Sequence, residues 1–251
     1  PVVCRALDGA LRHRVDDEGF VTHGEGETWM DAGGETRPYS PRGSRAVEVQ
    51  ALFAHALRYG VELARRQRNR EDGVRWQEAL DRLTAAFEAR FFDPQAHTPY
   101  DHLNPDGTPD GQVRPNGLLA WFVEPGLFTP ERARATVEQV RDRLAYPWSV
   151  GSLAAQDPQF RPVHLALERY EFDAAYHNGD VWLWLSGPLV SGLIAQQQVD
   201  AAWQQTSFLV DEILARGMAG SLREIRDAID TPGKDEYGGA VAQAWSLAEL
   251  Q

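Results

Sequence analysis

The sequence predicts an all-α fold with two concentric layers of helices, the inner layer screened from water by the outer one. Amphipathic segments, in which apolar residues recur every three or four positions, indicate helices with one buried face. Segments that are apolar on nearly all sides indicate helices buried on most faces. Strand signals are scarce, with residues 112–114 and their neighbours forming short extended pieces at most. Alternation of the two helix types therefore favours one helical layer around another.

In chain order, the predicted helices are of these two kinds. The amphipathic helices cover residues 76–91, 133–144 and 199–213. The all-round apolar helices cover residues 46–57, 181–194 and 240–250. The long polar connections are residues 92–117, 146–162 and 217–239, and loops of this length in a compact domain are usually functional or disordered. We expect a single domain over residues 1–251.

Composition narrows the classes of function. The formal net charge of −12 repels nucleic acid and anionic membranes, so neither is expected as a partner, whereas a neutral sugar polymer meets no such barrier. Cys4 is the single cysteine, which excludes an internal disulfide and fits a reducing compartment. No apolar stretch approaches membrane-spanning length, and no signal peptide opens the chain. We therefore expect a soluble, cytoplasmic protein.

Two carboxylates in unusual local sequences are the candidate catalytic residues. Asp31 follows Trp29 and Met30 and precedes Ala-Gly-Gly, and Glu224 lies in Gly-Ser-Leu-Arg-Glu-Ile. Paired carboxylates beside tryptophans suit glycoside hydrolysis, in which one protonates the leaving oxygen and the other activates water or attacks carbon. Asp31 would then be a general acid whose pKa is raised by the indole and by partial burial. Each residue also has a simpler interpretation. Asp31 could cap a helix or end a loop, and Glu224 could be a salt-bridged surface residue.

Aromatic and polar residues gather in other segments as well. The chain has eight Trp, and four of them lie beside polar or glycine-rich turns, as a sugar-stacking surface would require: Trp29, Trp182, Trp184 and Trp245. Residues 173–184 bring an acid, a phenol, an imidazole and two indoles to the start of an apolar helix. In Arg114-Pro115-Asn116, a guanidinium and an amide are held in a rigid turn. Core packing or capping would explain each of these separately. Asp227, Asp235 and Glu236 compete with Glu224 for the role of base.

Standard motifs for other chemistries are missing. The sequence holds no H-E-x-x-H or Cys/His pattern for zinc, and no G-x-S-x-G elbow or phosphate-binding glycine loop. The acidic residues of 101–110 miss the EF-hand spacing, and turn chemistry explains them better. We expect no cofactor and no metal.

Taken together, six segments resemble the amylo-α-1,6-glucosidase domain of glycogen debranching enzymes, in the order of that family. They are Thr28-Trp29-Met30-Asp31-Ala32, Val47-Glu48-Val49-Gln50-Ala51-Leu52, Arg114-Pro115-Asn116, Ser149-Val150-Gly151-Ser152-Leu153 with Asp157-Pro158 and Phe160-Arg161-Pro162, Asp173 to Trp182, and Ala242-Gln243-Ala244-Trp245-Ser246-Leu247-Ala248-Glu249. The resemblance spans about residues 28–250.

This resemblance implies an (α/α)6 toroid and hydrolysis of α-1,6-linked glucose at branch points of glycogen or related α-glucans, with inversion of configuration. It implies that Asp31 is the general acid and Glu224 the general base. The further residues that it implies at the glucose site are Trp29, Glu48, Arg114, Asn116, Asp173, Tyr176, His177, Trp182, Gln243 and Trp245.

Chain length adds a further expectation. A twelve-helix ring usually takes well over 300 residues, so this chain is expected to form the C-terminal portion of the barrel. A preceding region or self-association would then complete the ring, because a partial barrel exposes apolar helices.

Two other functions stay open at this point. One is a trehalase-like or glucoamylase-like α-glucosidase of the same fold, and the other is a non-catalytic α-glucan-binding module.

Overall fold

A computed structural model describes residues 2–34, 36–165, 168–215, 218–233 and 237–249. In these ranges the chain forms eight α-helices joined by long irregular connections and short strands. The helices are α1 (Val2–His13), α2 (Val47–Arg66), α3 (Arg70–Arg90), α4 (Asn116–Val123), α5 (Pro130–Arg143), α6 (Ser186–Ala195), α7 (Val199–Ala215) and α8 (Ala244–Ala248).

Helices α2 and α3 form a hairpin that carries the first hydrophobic cluster. Asn69 caps α3 by accepting a hydrogen bond from the Asp72 amide, so the second helix starts after a connection of three residues. The buried face of α3 presents Trp76 and Phe87 to apolar residues of α2 such as Leu57. The periodicity that predicted this helix therefore comes from packing on one face.

Helices α4 to α7 surround the second hydrophobic cluster. Thr129 caps α5 through the Arg132 amide, and Pro130 occupies the first turn, where its missing N–H costs nothing. Helix α4 is buried over its first five residues, and it lies between α2 and α6. It thereby connects the two clusters.

Short antiparallel strands organise the loops above the helices. One sheet contains β1 (Arg45–Ala46), β2 (His102–Leu103) and β3 (Pro109–Asp110). The other contains β4 (Ala145–Tyr146), β5 (Ser149–Gly151), β6 (Val181–Trp182), β7 (Ile225–Arg226) and β8 (Tyr237–Gly238), in that order. In the second sheet Val181 is paired with Arg226, and Trp182 with Ile225. This sheet brings the segment after α7 back against the start of α6.

Three details differ from the sequence prediction. Residues 240–250 do not form a buried helix: α8 has five residues, and Val241 and Trp245 are exposed. The segment 181–194 is buried as expected, but it begins as strand β6 and a 3-10 turn before α6 starts at Ser186. Residues 112–114 lie outside the strands, whereas two-residue strands form elsewhere, too short to show a period in sequence. Residue 250 lies outside the described ranges.

Within the part of the chain that the structure describes, none of the helices has the length and apolar character to cross a bilayer.

Candidate active site

Both candidate carboxylates lie in one pocket. The pocket has a volume of about 350 Å³, and it is lined by Trp29, Asp31, Tyr176, Trp182, Glu224, Gln243, Ala244 and Trp245. These residues come from the loop before β1, the turn before β6, the turn before β7 and the start of α8. A larger groove of about 630 Å³ runs beside the α2–α3 connection, but its lining is mainly aliphatic and basic. The aromatic walls and paired acids make the smaller pocket the candidate active site.

Asp31 stands in a tight turn with its side chain largely in water. Its carbonyl accepts a hydrogen bond from the Gly34 amide, and Gly33 adopts a φ of +86°, which a side chain would strain. The Asp31 side chain is 61% exposed, and its Oδ1 lies 3.6 Å from His177 Nε2. Interaction with His177 lowers the pKa of Asp31 despite partial burial. Our expectation of a raised pKa is therefore wrong for the free protein, because the interaction with the imidazole outweighs the effect of partial burial.

Glu224 is held by three hydrogen-bond donors. The Tyr176 hydroxyl and Gln243 Nε2 both donate to Oε1, at 2.9 and 2.8 Å, and the Ala240 amide donates to Oε2 at 2.7 Å. Gly239 lies so close that a Cβ there would stand 2.1 Å from Oε2, and its φ is +67°. Burial raises the pKa of Tyr176 strongly, with a further contribution from Glu224, so the phenol stays protonated and donates. These donors fix the Glu224 carboxylate in one orientation.

His177 is buried beside Asp31 and does not line the pocket, contrary to the expectation that it lies at the glucose site. It is fully buried, stacked on Trp182 with ring centroids 5.0 Å apart, and neither ring nitrogen has a hydrogen-bond partner among the described residues. Burial lowers the pKa of His177 to about 4, although Asp31 acts in the opposite direction. The imidazole is therefore neutral near pH 7, and its position lets Nε2 face the Asp31 carboxylate.

Trp29 joins the pocket to the rest of the fold. Its indole meets His177, Trp182 and Trp184 edge to face, with centroids 5.2 to 5.3 Å apart. Its Nε1 donates a 2.7 Å hydrogen bond to Asn116 Oδ1 at the start of α4. Because Asp31 follows two residues later, the packing of Trp29 determines where that acid stands.

Besides His177, four of the predicted binding residues are buried outside the pocket lining: Glu48, Arg114, Asn116 and Asp173. Arg114 donates to the His177 carbonyl at 2.5 Å and to Asn178 Oδ1 at 2.8 Å. Asp173 accepts hydrogen bonds from the amides of Leu165 and Ala175. The expectation that these four line the glucose site disagrees with this placement, because their polar groups are occupied by protein partners.

A buried network that the sequence did not reveal supports Trp29. Arg42 donates to both oxygens of Glu48 and, through Nε, to Asp101 Oδ2 at 2.7 Å. Asn116 Nδ2 donates to the other Asp101 oxygen, also at 2.7 Å. The buried Arg42 holds the pKa of Asp101 well below its usual range, although desolvation acts against this. The Pro41-Arg42-Gly43 sequence carries no signal for such a role.

The competing bases are placed differently from Glu224. Asp227 is buried outside the pocket lining, and its Oδ1 accepts a hydrogen bond from the His164 amide at 3.0 Å. Asp180 is buried nearby, where burial raises its pKa to about 6. Asp235 and Glu236 lie outside the described residues.

Comparison with known proteins identifies relatives of this chain. The profile of the family described as amylo-alpha-1,6-glucosidase matches residues 6–251. The glycogen debranching enzyme of Saccharomyces cerevisiae is 29% identical over 202 residues, which are 64% of this chain and 13% of the yeast protein. This chain thus spans a small part of that relative.

Solved glycoside hydrolase structures share the fold. A GH63 mannosylglycerate hydrolase from Thermus thermophilus has a TM-score of 0.58 at 21% identity, covering 81% of this chain and 46% of that one. A GH78 family rhamnosidase from a Bacillus species has the same TM-score at 17% identity, covering 99% of this chain and 22% of its own.

The predicted (α/α)6 fold class is confirmed, with the short strands as additions to the helical layers. The match of one family profile to almost the whole chain, together with the helical layers and the acid-lined pocket, leads to one assignment. The chain belongs to the amylo-alpha-1,6-glucosidase family of glycoside hydrolases.

Proposed function

We propose that this chain is an inverting glycoside hydrolase that releases glucose from α-1,6 branch points of glycogen or a related α-glucan. The observation that carries the proposal is the single pocket that contains Asp31 and Glu224 in contrasting environments. One carboxylate is open to solvent and touches a neutral imidazole, and the other is fixed by three donors. Such a contrast separates an acid from a base.

The surroundings of Glu224 suit the role of general base. Three hydrogen bonds hold the Glu224 carboxylate in place, where it can take a proton from a water held on the opposite side of the sugar ring. An inverting reaction needs the two carboxyl groups roughly 6.5–9.5 Å apart to accommodate that water. This spacing stays a prediction, to be measured between Asp31 and Glu224 in a complex with glucose.

Asp31 suits the role of general acid once substrate is bound. In the free protein its carboxylate is largely hydrated, and the interaction with His177 lowers its pKa. A neutral sugar placed over the pocket would displace this water, and desolvation favours the protonated carboxyl. The proton would then be delivered to the glycosidic oxygen as the bond to the anomeric carbon breaks.

Aromatic side chains supply the sugar surface. Trp182 is buried in the pocket wall, whereas Trp245 is 52% exposed and forms part of the rim. A flat indole face at the rim can stack on the apolar face of a pyranose, while Gln243 lies within the pocket lining, where its amide can meet hydroxyl groups. The chain's negative charge does not oppose a neutral glucan.

Conservative substitutions test the two assignments. Asp31→Asn and Glu224→Gln should each reduce kcat on a singly branched dextrin by about 10²- to 10⁴-fold, because each removes one proton transfer. Asp142→Asn on exposed α5 is the matched control and should leave kcat unchanged. NMR of the first-formed glucose should show the β-anomer. Near-normal turnover of either variant, or release of the α-anomer, would contradict the mechanism.

Substrate specificity needs its own experiment. The structural likeness to a mannosylglycerate hydrolase favours testing other substrates of the same fold, including the trehalase-like and glucoamylase-like alternatives. Glucose release from trehalose, maltose, isomaltose and a limit dextrin would rank them. A chain that binds glucan in calorimetry but releases no sugar from any of them would support the non-catalytic binding module.

The expectations on assembly and location stay predictions. Helix α7 exposes Val199, Trp203 and Leu214, which is consistent with a further segment or a second copy packing there. Sedimentation analysis of the 251-residue chain tests self-association directly. Cytoplasmic location would be tested by fractionation.

A further inference from the structure

Two buried carboxylates face each other across the central strands of the five-stranded sheet. The register pairs Val181 with Arg226 and Trp182 with Ile225, so one step further along the ladder Asp180 stands opposite Asp227. Both side chains are almost completely buried. Like charges placed directly opposite one another destabilise an antiparallel pair. A positive group between the two carboxylates would offset this repulsion.

His164 completes a compact group of potential ligands. Its amide donates to Asp227 Oδ1 at 3.0 Å, and its Nδ1 lies 2.5 Å from Asp180 Oδ2. One ligand atom from each of His164, Asp180 and Asp227 lies within 4.8 Å of the others. These three residues are called the His164 cluster below.

Two members of the His164 cluster, Asp180 and His164, carry buried polar atoms that lack hydrogen-bond partners among the described residues. Despite the short approach of Nδ1 to Oδ2, neither oxygen of Asp180 has a partner in hydrogen-bond geometry among the described residues, and the same is true of His164 Nε2. A buried carboxylate without hydrogen bonds is strongly unfavourable, and coordination to a cation removes the penalty.

We propose that His164, Asp180 and Asp227 bind a divalent metal ion, with zinc as the best-fitting probe. An imidazole nitrogen with two carboxylate oxygens is a donor set that suits zinc better than magnesium or calcium. Tetrahedral ligands of one zinc ion stand about 3.4 Å apart, so binding needs the widest separations in the cluster to shrink by up to about 1.5 Å. The ligands come from three separate segments, which explains why no zinc spacing is visible in the sequence.

The ion has a structural role, since the His164 cluster does not line the sugar pocket. Asp180 directly precedes β6, which carries Trp182, and Asp227 directly follows β7, which starts after Glu224. His164 packs on Tyr170 and lies edge-on to Tyr176, with ring centroids 4.0 and 6.0 Å apart. A bound cation would therefore fasten the loops that hold one wall of the pocket.

Zinc titration of the chelator-treated 251-residue protein tests this site. We expect one equivalent of Zn²⁺ per chain by calorimetry, and a rise in Tm of roughly 5–10 °C when free zinc is about 100 times Kd. Asp180→Asn and His164→Asn should each weaken zinc binding by at least about 100-fold. His97→Asn, which removes an exposed imidazole, is the control and should bind zinc as the wild type does.

If a variant does not fold, measurements on the wild-type protein alone test the proposal. X-ray absorption of the zinc-loaded chain should show one imidazole and oxygen ligands. Absence of binding to folded wild-type protein, several imidazoles or a sulfur at the metal, or unchanged affinity in folded Asp180→Asn would overturn the site. Zinc binding should persist in Asp31→Asn, so failure of the hydrolase proposal leaves this test intact.

Discussion

The Tyr176 hydroxyl donates a 2.9 Å hydrogen bond to Glu224 Oε1, and the same oxygen also accepts from Gln243. The two donors come from different segments, one before β6 and the other before α8. Glu224 is thereby oriented by parts of the chain that meet only in the folded protein.

Removing the phenol should loosen Glu224. We expect Tyr176→Phe to lower kcat roughly 10- to 100-fold, because a hydrogen bond to a charged group contributes about 1.5–3 kcal/mol. The ring packing against His177 and Trp182 is retained in this variant. Steady-state kinetics on a branched dextrin measures the effect, and Tyr59→Phe on the exposed face of α2 is the control. Unchanged kcat in Tyr176→Phe would show that the phenol does not orient the base.

Gly239 should tolerate no side chain. A Cβ at this position would stand 2.1 Å from Glu224 Oε2, and the positive φ adds strain. We expect Gly239→Ala to displace the carboxylate and to reduce kcat at least about 10-fold. Gly111→Ala is the matched control, since a Cβ there meets nothing within 4 Å. Equal activity of the two variants would contradict the close approach of Gly239 to the base.

His177 should determine the pH dependence of the acid. Its interaction with Asp31 favours the carboxylate and lowers the Asp31 pKa. Replacement by Phe removes that interaction, so the Asp31 pKa should rise and the protonated acid should persist to higher pH. The alkaline limb of the kcat/KM profile should therefore move to higher pH in His177→Phe. A limb that stays in place or moves to lower pH would show that Asp31 is not the group that titrates.

Arg42 should be essential for stability. Its removal in Arg42→Met leaves Glu48 and Asp101 buried without their cation, which typically costs about 3–5 kcal/mol of unfolding free energy. Urea denaturation measures the loss, and Arg65→Met, at an exposed ion pair, is the control with little expected change.

The pH dependence of this loss follows from the lowered pKa of Asp101. A depressed pKa in the folded state stabilises the protein above the unfolded-state pKa, and this contribution disappears as pH falls through the folded-state pKa. The difference between wild type and Arg42→Met should therefore be greatest near neutral pH and should shrink in acid. A difference that is constant with pH would argue against an electrostatic origin.

Helices with one buried face were predictable from sequence. The periodic segments at 76–91 and 133–144 correspond to α3 and α5, because burial of one face imposes the helical period. The prediction of a buried helix at 240–250 was wrong, because the apolar side chain of Trp245 lies at the pocket rim and not in the core. Hydrophobicity alone does not distinguish those two uses.

The site was predictable only in part. Local sequence singled out Asp31 and Glu224, and the structure places both in one pocket. The sequence did not reveal that Glu48 pairs with Arg42, or that the Trp29 indole donates a hydrogen bond to Asn116. These contacts join distant segments, and no local pattern records a partner that only the tertiary fold supplies.

The pocket unites residues from nearly opposite ends of the chain, and this bears on how the protein acquires activity. Helix hairpins such as α2–α3 contain local contacts and can form early in folding, whereas contacts across long sequence separations form slowly. During refolding from denaturant, the helical circular dichroism should return before catalytic competence does. The delay between the two signals would measure the closure of the last loops around Glu224.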